Sequence, residues 1–160
     1  ATLMRYTNGA RGSLWVTNAA AGSEHGLSFR IHGDKGGLEW HQEEPNRLLH
    51  RRVGGFDQIL TRRLGATMEP SALRSTRFAL GHPEGYLEAF ANLYTEFAEV
   101  VAGRIAHQRP PVAHDLFPKA ADGVQGLLIT AAAVKSAQTQ RWEPVLNPAQ
   151  ARPETPAPAM

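Results

Sequence analysis

Phe29-Arg30-Ile31-His32-Gly33-Asp34-Lys35-Gly36-Gly37-Leu38-Glu39-Trp40 is the stretch whose reading decides the fold. Leu27, Phe29 and Ile31 alternate with Ser28, Arg30 and His32, the period of a half-buried strand. Asp34-Lys35-Gly36-Gly37 then turns the chain. Leu38–Gln42 alternates again, with Leu38 and Trp40 on one face and Glu39 and His41 on the other. Two adjacent strands that keep their alternation across a short turn read as part of an antiparallel sheet.

Outward from this pair the pattern repeats. Thr2–Thr7 alternates, Asn8-Gly9 favours a tight hairpin, and Gly12–Ala20 returns as a second strand. Glu44-Pro45-Asn46 turns once more before Arg47–Arg52, so the expectation is an antiparallel meander of about five strands. Arg30, His32, Glu39 and His41, with Trp15 joining them, share the side opposite the aliphatic one. Alternation alone fits two readings of that side: an ordinary solvent face, or a self-complementary protein interface.

Residues 53–80 are harder to read. Gly54-Gly55 breaks the alternation, Phe56–Thr61 fits a further strand, and Pro70–Arg77 a short helix, within an excursion expected to be long and mobile. Pro83–His107 carries the strongest helical signal. Tyr86, Leu87, Phe90, Leu93, Tyr94, Phe97, Val101 and Ile105 recur at three- and four-residue steps. Pro83 suits a first helical turn, Glu84 and Glu88 the positive end of the dipole, and Pro110-Pro111 stops the helix. A second helix runs from an Asp122 cap to about Gln140, rich in alanine. Trp142–Leu146 fits a short edge strand. Asn147–Met160, with four prolines and four alanines, reads as a disordered tail.

Composition bounds the rest. At 160 residues, 42% hydrophobic and 20% charged, this is ordinary globular material, with a domain expected over residues 1–146. A chain of this size folding alone is expected to bury roughly 70% of its unfolded surface. No apolar run is long enough to span a membrane, and the N-terminus carries no secretory pattern. Cysteine is absent, which excludes disulfides, thiolate metal sites and Cys nucleophiles and suits a cytoplasmic location. The formal charge is only +2, but Arg47, Arg51, Arg52, Arg62, Arg63, Arg74 and Arg77 face only Asp57 and Glu69 between Asn46 and Arg77. A nucleic-acid surface on that stretch is disfavoured, because it has neither RNP-like aromatics nor a helix-turn-helix pattern.

No complete catalytic constellation is present. The seven histidines include no helical His-x-x-x-His pair, and the nine-residue spacing of His32, His41 and His50 follows from the meander rather than from metal ligation. No nucleophile elbow and no Gly-x-Gly-x-x-Gly dinucleotide loop occur. Two segments remain as candidates. Gly81-His82-Pro83-Glu84-Gly85-Tyr86 places an imidazole, a carboxylate and a phenol where a loop becomes a helix, either to bind a polyol or anion or simply to build the helix start. Gly22-Ser23-Glu24-His25-Gly26 is a polar loop, either a plain connection or a second contact region.

The ordered pieces resemble a known family. A strand ending Tyr6-Thr7-Asn8-Gly9-Ala10-Arg11-Gly12 is followed by the Phe29–Trp40 stretch and by Glu43-Glu44-Pro45-Asn46-Arg47-Leu48. His82-Pro83-Glu84-Gly85-Tyr86-Leu87-Glu88-Ala89-Phe90 and Asp122-Gly123-Val124-Gln125-Gly126 complete the series. In this order they are similar to the C-terminal part of the glucose–fructose oxidoreductase / inositol dehydrogenase / rhizopine-catabolism (Gfo/Idh/MocA) family of NAD(P)-dependent oxidoreductases, over about residues 2–146.

That resemblance implies an α+β domain: an open, mainly antiparallel sheet with helices on one face, like the C-terminal domain of dihydrodipicolinate reductase. The other face commonly meets a partner subunit, which favours a homo-dimer or tetramer through Arg30, His32, Glu39, His41 and Trp15. It also implies a sugar, inositol or polyol substrate approached by Ser23, Glu24 and His25 and by His82, Glu84 and Tyr86. The family's nucleotide-binding domain, its Glu-Lys-Pro lysine and its Asp/His pair have no counterpart here. NAD or NADP is therefore expected in the full-length parent, with none bound and no hydride transferred by this chain alone. Two rival expectations are a stand-alone assembly domain without substrate and, further behind, nucleic-acid binding through Arg47–Arg77.

Overall fold

The structure is a computed structural model, and it describes residues 1–62, 68–108 and 117–146. The expected tail from Asn147 onward, the Pro110-Pro111 stop and Arg63 lie outside the described residues. The chain forms two compact units, one of Ala1–Ala19 with the chain from Pro118 onward, the other of Ala20–Phe117.

In the first unit, β1 (Thr2–Arg5) and β2 (Arg11–Leu14) form an antiparallel hairpin with Thr2 opposite Leu14 and Arg5 opposite Arg11. The turn is longer than the Asn-Gly pair predicts. Tyr6 N–H donates to the Ala10 carbonyl at 2.9 Å, and Asn8 Oδ1 accepts from Ala10 N–H at 3.1 Å. Gly9 takes the left-handed φ of 89° that the turn requires. Helix α3 (Ala120–Thr139) starts where Asp122 accepts from Lys119 N–H at 2.7 Å, so Asp122 caps the helix from its third position. Beyond α3, Trp142–Leu146 is not a strand. Pro144 cannot donate to a ladder, and Glu143 instead accepts from Lys135 Nζ at 2.8 Å and from Thr139 Oγ1 at 3.0 Å. The Arg5 guanidinium lies 4.0 Å over the Trp142 ring.

The second unit holds the meander. Strands β3 (Ser28–His32), β4 (Gly36–His41), β5 (Arg47–Arg52) and β6 (Gln58–Thr61) are antiparallel neighbours in chain order. The expected five strands are thus a separate hairpin plus four. The strand expected over Gly12–Ala20 stops at Leu14, leaving Trp15 outside both sheets. Pairing puts Phe29 opposite Trp40 and Ile31 opposite Leu38 on one face, and Arg30 opposite Glu39 on the other. Phe29 and Trp40 stack with ring centroids 5.6 Å apart, a cross-strand pair worth about 0.5–1.5 kcal/mol beyond its buried area.

Helix α1 (Pro70–Arg74) is shorter than the sequence predicts, and α2 (Tyr86–Ile105) begins three residues after Pro83. Gly85 is the cap, and Glu88, the third helical residue, accepts from Gly85 N–H at 2.8 Å. The first turn of α2 lies beside the Trp40 side of the meander, where the Pro45 ring approaches Gly85. The architecture is α+β with antiparallel sheets, as the sequence predicts.

Polar contacts, more than apolar burial, join α1 and its flanking residues to α2. Arg74 Nε meets Glu96 Oε1 at 3.3 Å, Arg77 donates to Asn92 Oδ1 and Thr95 Oγ1, and Asn92 donates to the Ser75 carbonyl. Among the described residues no hydrophobic side chain is fully buried, and the most enclosed residue is a charged one, Glu96, at 7% exposure. The apolar stripe of α2 leaves Leu87 at 75% and Phe97 at 56% exposure. Large apolar area on this helix is therefore free to be covered further. No described helix is long and apolar enough to cross a membrane.

Close approach of backbone to backbone sets one position in the meander. A Cβ on Gly36 would fall 2.2 Å from the Arg51 carbonyl oxygen on the facing strand. Gly36→Ala is therefore expected to destabilise the fold by about 2–3 kcal/mol. A urea melt with an unchanged midpoint would refute this.

Candidate functional site

Residues 77–86 form a corner before α2. Gly81 has φ 86°, and His82 N–H donates to the Ala79 carbonyl at 3.2 Å, which turns the chain so that Pro83 and Glu84 lead into the helix. Glu84 Oε1 collects three donors: the backbone amides of Arg77 at 2.8 Å and Phe78 at 2.6 Å, and Arg62 Nη1. The main chain of Glu84 is held as well. Its N–H donates to Asn46 Oδ1 at 3.0 Å, and its carbonyl accepts from Asn46 Nδ2 at 2.8 Å. Arg62 Nη2 reaches the His82 carbonyl, while Arg62 Nε is buried without a partner.

Asn46 directly precedes β5 and Arg62 directly follows β6, so one end of this strand pair grips the corner through two side chains. The Glu84 side chain is only 10% exposed and that of Arg62 21%. Burial pushes the Glu84 carboxyl upward, but the Phe78 and Arg77 amides and the Arg62 guanidinium together outweigh it and hold the group below the ordinary carboxylate range.

Two hollows flank this grip. The larger, about 440 Å³, is walled by Trp40, Gln42, Pro45, Tyr86, Glu88 and Ala89, among others. The smaller, about 280 Å³, is lined by Arg47, Thr61, Gly81, His82 and Pro83. Asn46 and Arg62 border both. Tyr86 and Glu84 thus line one hollow and His82 the other. The Tyr86 ring also packs on Phe90 with centroids 4.7 Å apart.

Ser23, Glu24 and His25 lie in an exposed loop that lines neither hollow. The loop is anchored by Ser23 N–H on the Ala20 carbonyl at 3.1 Å and by Gly26 N–H on Glu43 Oε1 at 2.7 Å.

Arg30, His32, Glu39 and His41 share one face of the meander. Arg51 joins them, which the sequence reading did not foresee, because its parity depends on the β4–β5 register. Glu39 Oε1 meets His41 Nε2 at 2.9 Å, and Glu39 Oε2 accepts from Arg51. These bonds, His41 first and then Arg51, hold the Glu39 carboxyl below its ordinary range. Leu49 and Ile59 fall on the same face by register. Trp15 belongs to the other unit and lies on no strand of this sheet. His50 pairs with Leu38 on the aliphatic face, away from His32 and His41. No group of three or more metal-ligating side chains forms among the described residues.

Most arginines of the basic stretch are engaged within the fold. Arg47 pairs with Glu44, Arg51 with Glu39 and Asp57, Arg62 with Glu84 and Arg74 with Glu96, while Arg77 is held by Asn92 and Thr95.

Because the folded Glu84 carboxyl titrates below its unfolded value, the stability it contributes is present above the ordinary carboxylate pKa. That stability is lost as pH falls through the folded value. Glu84→Gln should lower stability at neutral pH and flatten the acid limb of the stability–pH curve. Parallel curves for variant and wild type between about pH 3 and 6 would refute the assignment.

Comparison with known proteins identifies the family. The family model for the Gfo/Idh/MocA oxidoreductases, described as "Oxidoreductase family, C-terminal alpha/beta domain", matches residues 1–145. An uncharacterized oxidoreductase of Bacillus subtilis, YfiI, is 30% identical over 135 residues, covering 84% of this chain and 34% of that protein. An oxidoreductase from Sinorhizobium meliloti has a solved structure with a TM-score of 0.73 and 39% identity, covering 86% of this chain and 37% of that one. An inositol dehydrogenase homolog from Azotobacter vinelandii, solved with NADH and myo-inositol, gives a TM-score of 0.68 and 38% identity over 86% of this chain and 36% of its own. The chain spans about a third of the length of these relatives. It belongs to the Gfo/Idh/MocA oxidoreductase family and constitutes that family's C-terminal α/β domain.

Proposed function

We propose that this chain is the substrate-binding and assembly domain of an NAD(P)-dependent oxidoreductase acting on a sugar, inositol or related polyol. The observation that carries the reading is its 38% identity to the Azotobacter vinelandii inositol dehydrogenase homolog, whose structure holds NADH and myo-inositol. The dinucleotide supplies the hydride acceptor. Described strands here pair only antiparallel, whereas a doubly wound nucleotide crevice is built on parallel strands. Among the described residues no parallel strand pair builds such a crevice, and we assign the dinucleotide to the remainder of a longer parent protein.

The chain's own contribution is to bind and orient hydroxyl groups. The His82 imidazole and Tyr86 phenol border the two hollows, and Ser23, Glu24 and His25 offer a second set of donors and acceptors on their loop. Glu84 acts differently. Its carboxylate is committed to three internal donors, so it positions the corner while its neighbours face the ligand. In the full-length enzyme, His82→Ala is expected to raise KM several-fold, the scale of one or two lost hydrogen bonds. Unchanged KM and kcat would remove His82 from the substrate contacts.

The polar face of the meander is assigned to assembly. Arg30, His32, Glu39, His41 and Arg51 present both charge signs around Leu49 and Ile59, a mixture suited to a two-fold interface in a homo-dimer or tetramer. The cysteine-free composition fits the cytoplasmic site that is part of this proposal. Glu39→Arg places a third cation between Arg30 and Arg51, and light scattering should then report a smaller assembly than wild type. An unchanged mass would count against this face.

A further inference from the structure

The polar face of the meander carries rows of side chains that run across the strands from β3 toward β6. Arg30, Glu39, Leu49 and Ile59 form the middle row. His32, Gly37 and Arg51 lie on one side of it. Ser28 and His41, and then Arg47 and Thr61, lie on the other. The middle row opens with a cation beside an anion. Turned about a two-fold axis, the same row of a second copy brings its carboxylate to this arginine and its arginine to this carboxylate. A second copy is the occupant that this order of charges fits.

An imidazole stands on each side of that row. Gly37 has no side chain, so the His32 ring lies over β4: a Cβ on Gly37 would fall 3.0 Å from His32 Nδ1. Its charged neighbours on this face are Arg30 on the same strand and Arg51 beyond Gly37, with Asp34 and Lys35 of opposite sign in the turn. His41 Nε2 meets Glu39 Oε1 at 2.9 Å, but the other Glu39 oxygen accepts from Arg51. Around His41 also stand Glu43, which accepts from Gly26 N–H, His25 on the preceding loop, and Arg47, which pairs with Glu44. Asp57 is taken by Arg51 Nε at 3.5 Å. Each of Glu39, Glu43, Glu44 and Asp57 thus already has a partner in its own chain.

This arrangement gives added protons a direction of effect. Histidine is the side chain that ordinarily gains its charge between about pH 8 and 5. The Glu39 carboxyl, held below its ordinary range by His41 and Arg51, stays ionised across that interval. A proton on His41 puts two cations on one carboxylate, and a proton on His32 sets a third cation beside Arg30 and Arg51. A two-fold contact doubles every such charge.

Resting on the assembly reading above, we propose that contact between copies through this face is switched by pH. Neutral His32 and His41 permit it, and their protonated forms drive the copies apart. The separated form binds more protons than the assembled one, so the contact is strong above the histidine range and weakens as pH falls through it.

The test is sedimentation velocity on the full-length protein at about pH 8 and about pH 6, at one ionic strength. The dissociation constant between copies should rise at least about tenfold at the lower pH, the change that one proton taken up on separation produces per pH unit. Circular dichroism unchanged between the two conditions shows that separation is not unfolding. The double variant His32→Gln/His41→Gln keeps polar side chains on the face without titrating there, and its constant should stay within about twofold. Wild-type protein equally assembled at both pH values overturns the switch and leaves the assembly reading standing. A folded double variant that still separates at the lower pH overturns it as well. Protein that is monomeric at about pH 8 removes the assembly reading, and the switch with it.

Discussion

One carboxylate oxygen organises the second unit. Glu84 Oε1 gathers two consecutive backbone amides, from Arg77 and Phe78, and a guanidinium from Arg62. These donors come from the residue after β6 and from the first residues of the corner itself, while Asn46 just before β5 clasps the Glu84 main chain. Among the described residues this grip is the main polar tie between the start of α2 and the meander, where apolar burial is only partial. Charge-assisted bonds to a nearly enclosed carboxylate are among the stronger contacts available to a domain with a thin core.

The parts legible in the sequence were those governed by short periods. Alternation at 27–32 and 38–42 placed Arg30, His32, Glu39 and His41 on one side, and the pairing of Phe29 with Trp40 and Arg30 with Glu39 follows that parity. The three- and four-residue rhythm of Tyr86 to Ile105 marked α2 almost to its ends. Local chemistry was less sure. Pro83 looked like a first helical residue, but Gly85 takes the cap because Glu88 can answer its amide only from three positions on.

Contacts between distant positions escaped the sequence reading. Arg62 meets Glu84 across 22 residues and Asn46 meets it across 38, and no periodicity relates such positions. The arginine-rich stretch showed the same limit. Its excess charge left an external anion only as the disfavoured reading and did not show where the charges go: Arg62 meets Glu84 in the corner, Arg74 meets Glu96 on α2, and Arg77 finds neutral acceptors on α2. Trp15 was assigned to a face by extending an alternation past Leu14, where pairing with β1 had already ended. Within the candidate corner, the sequence picked out His82, Glu84 and Tyr86 but could not reveal that Glu84 is occupied.

The clasp between Asn46 and Glu84 ties the corner to the chemistry of a single side-chain amide. Asn46 donates through Nδ2 and accepts through Oδ1 at the same time, so the same residue is read in two opposite senses. Hydrolysis of that amide leaves a side chain of nearly the same shape but without the donor. It would turn an oxygen toward the Glu84 carbonyl and set a new negative charge beside the existing carboxylate. The clasp on the Glu84 main chain is therefore only as durable as that one amide bond, and the corner would then depend on the donors to the Glu84 carboxylate.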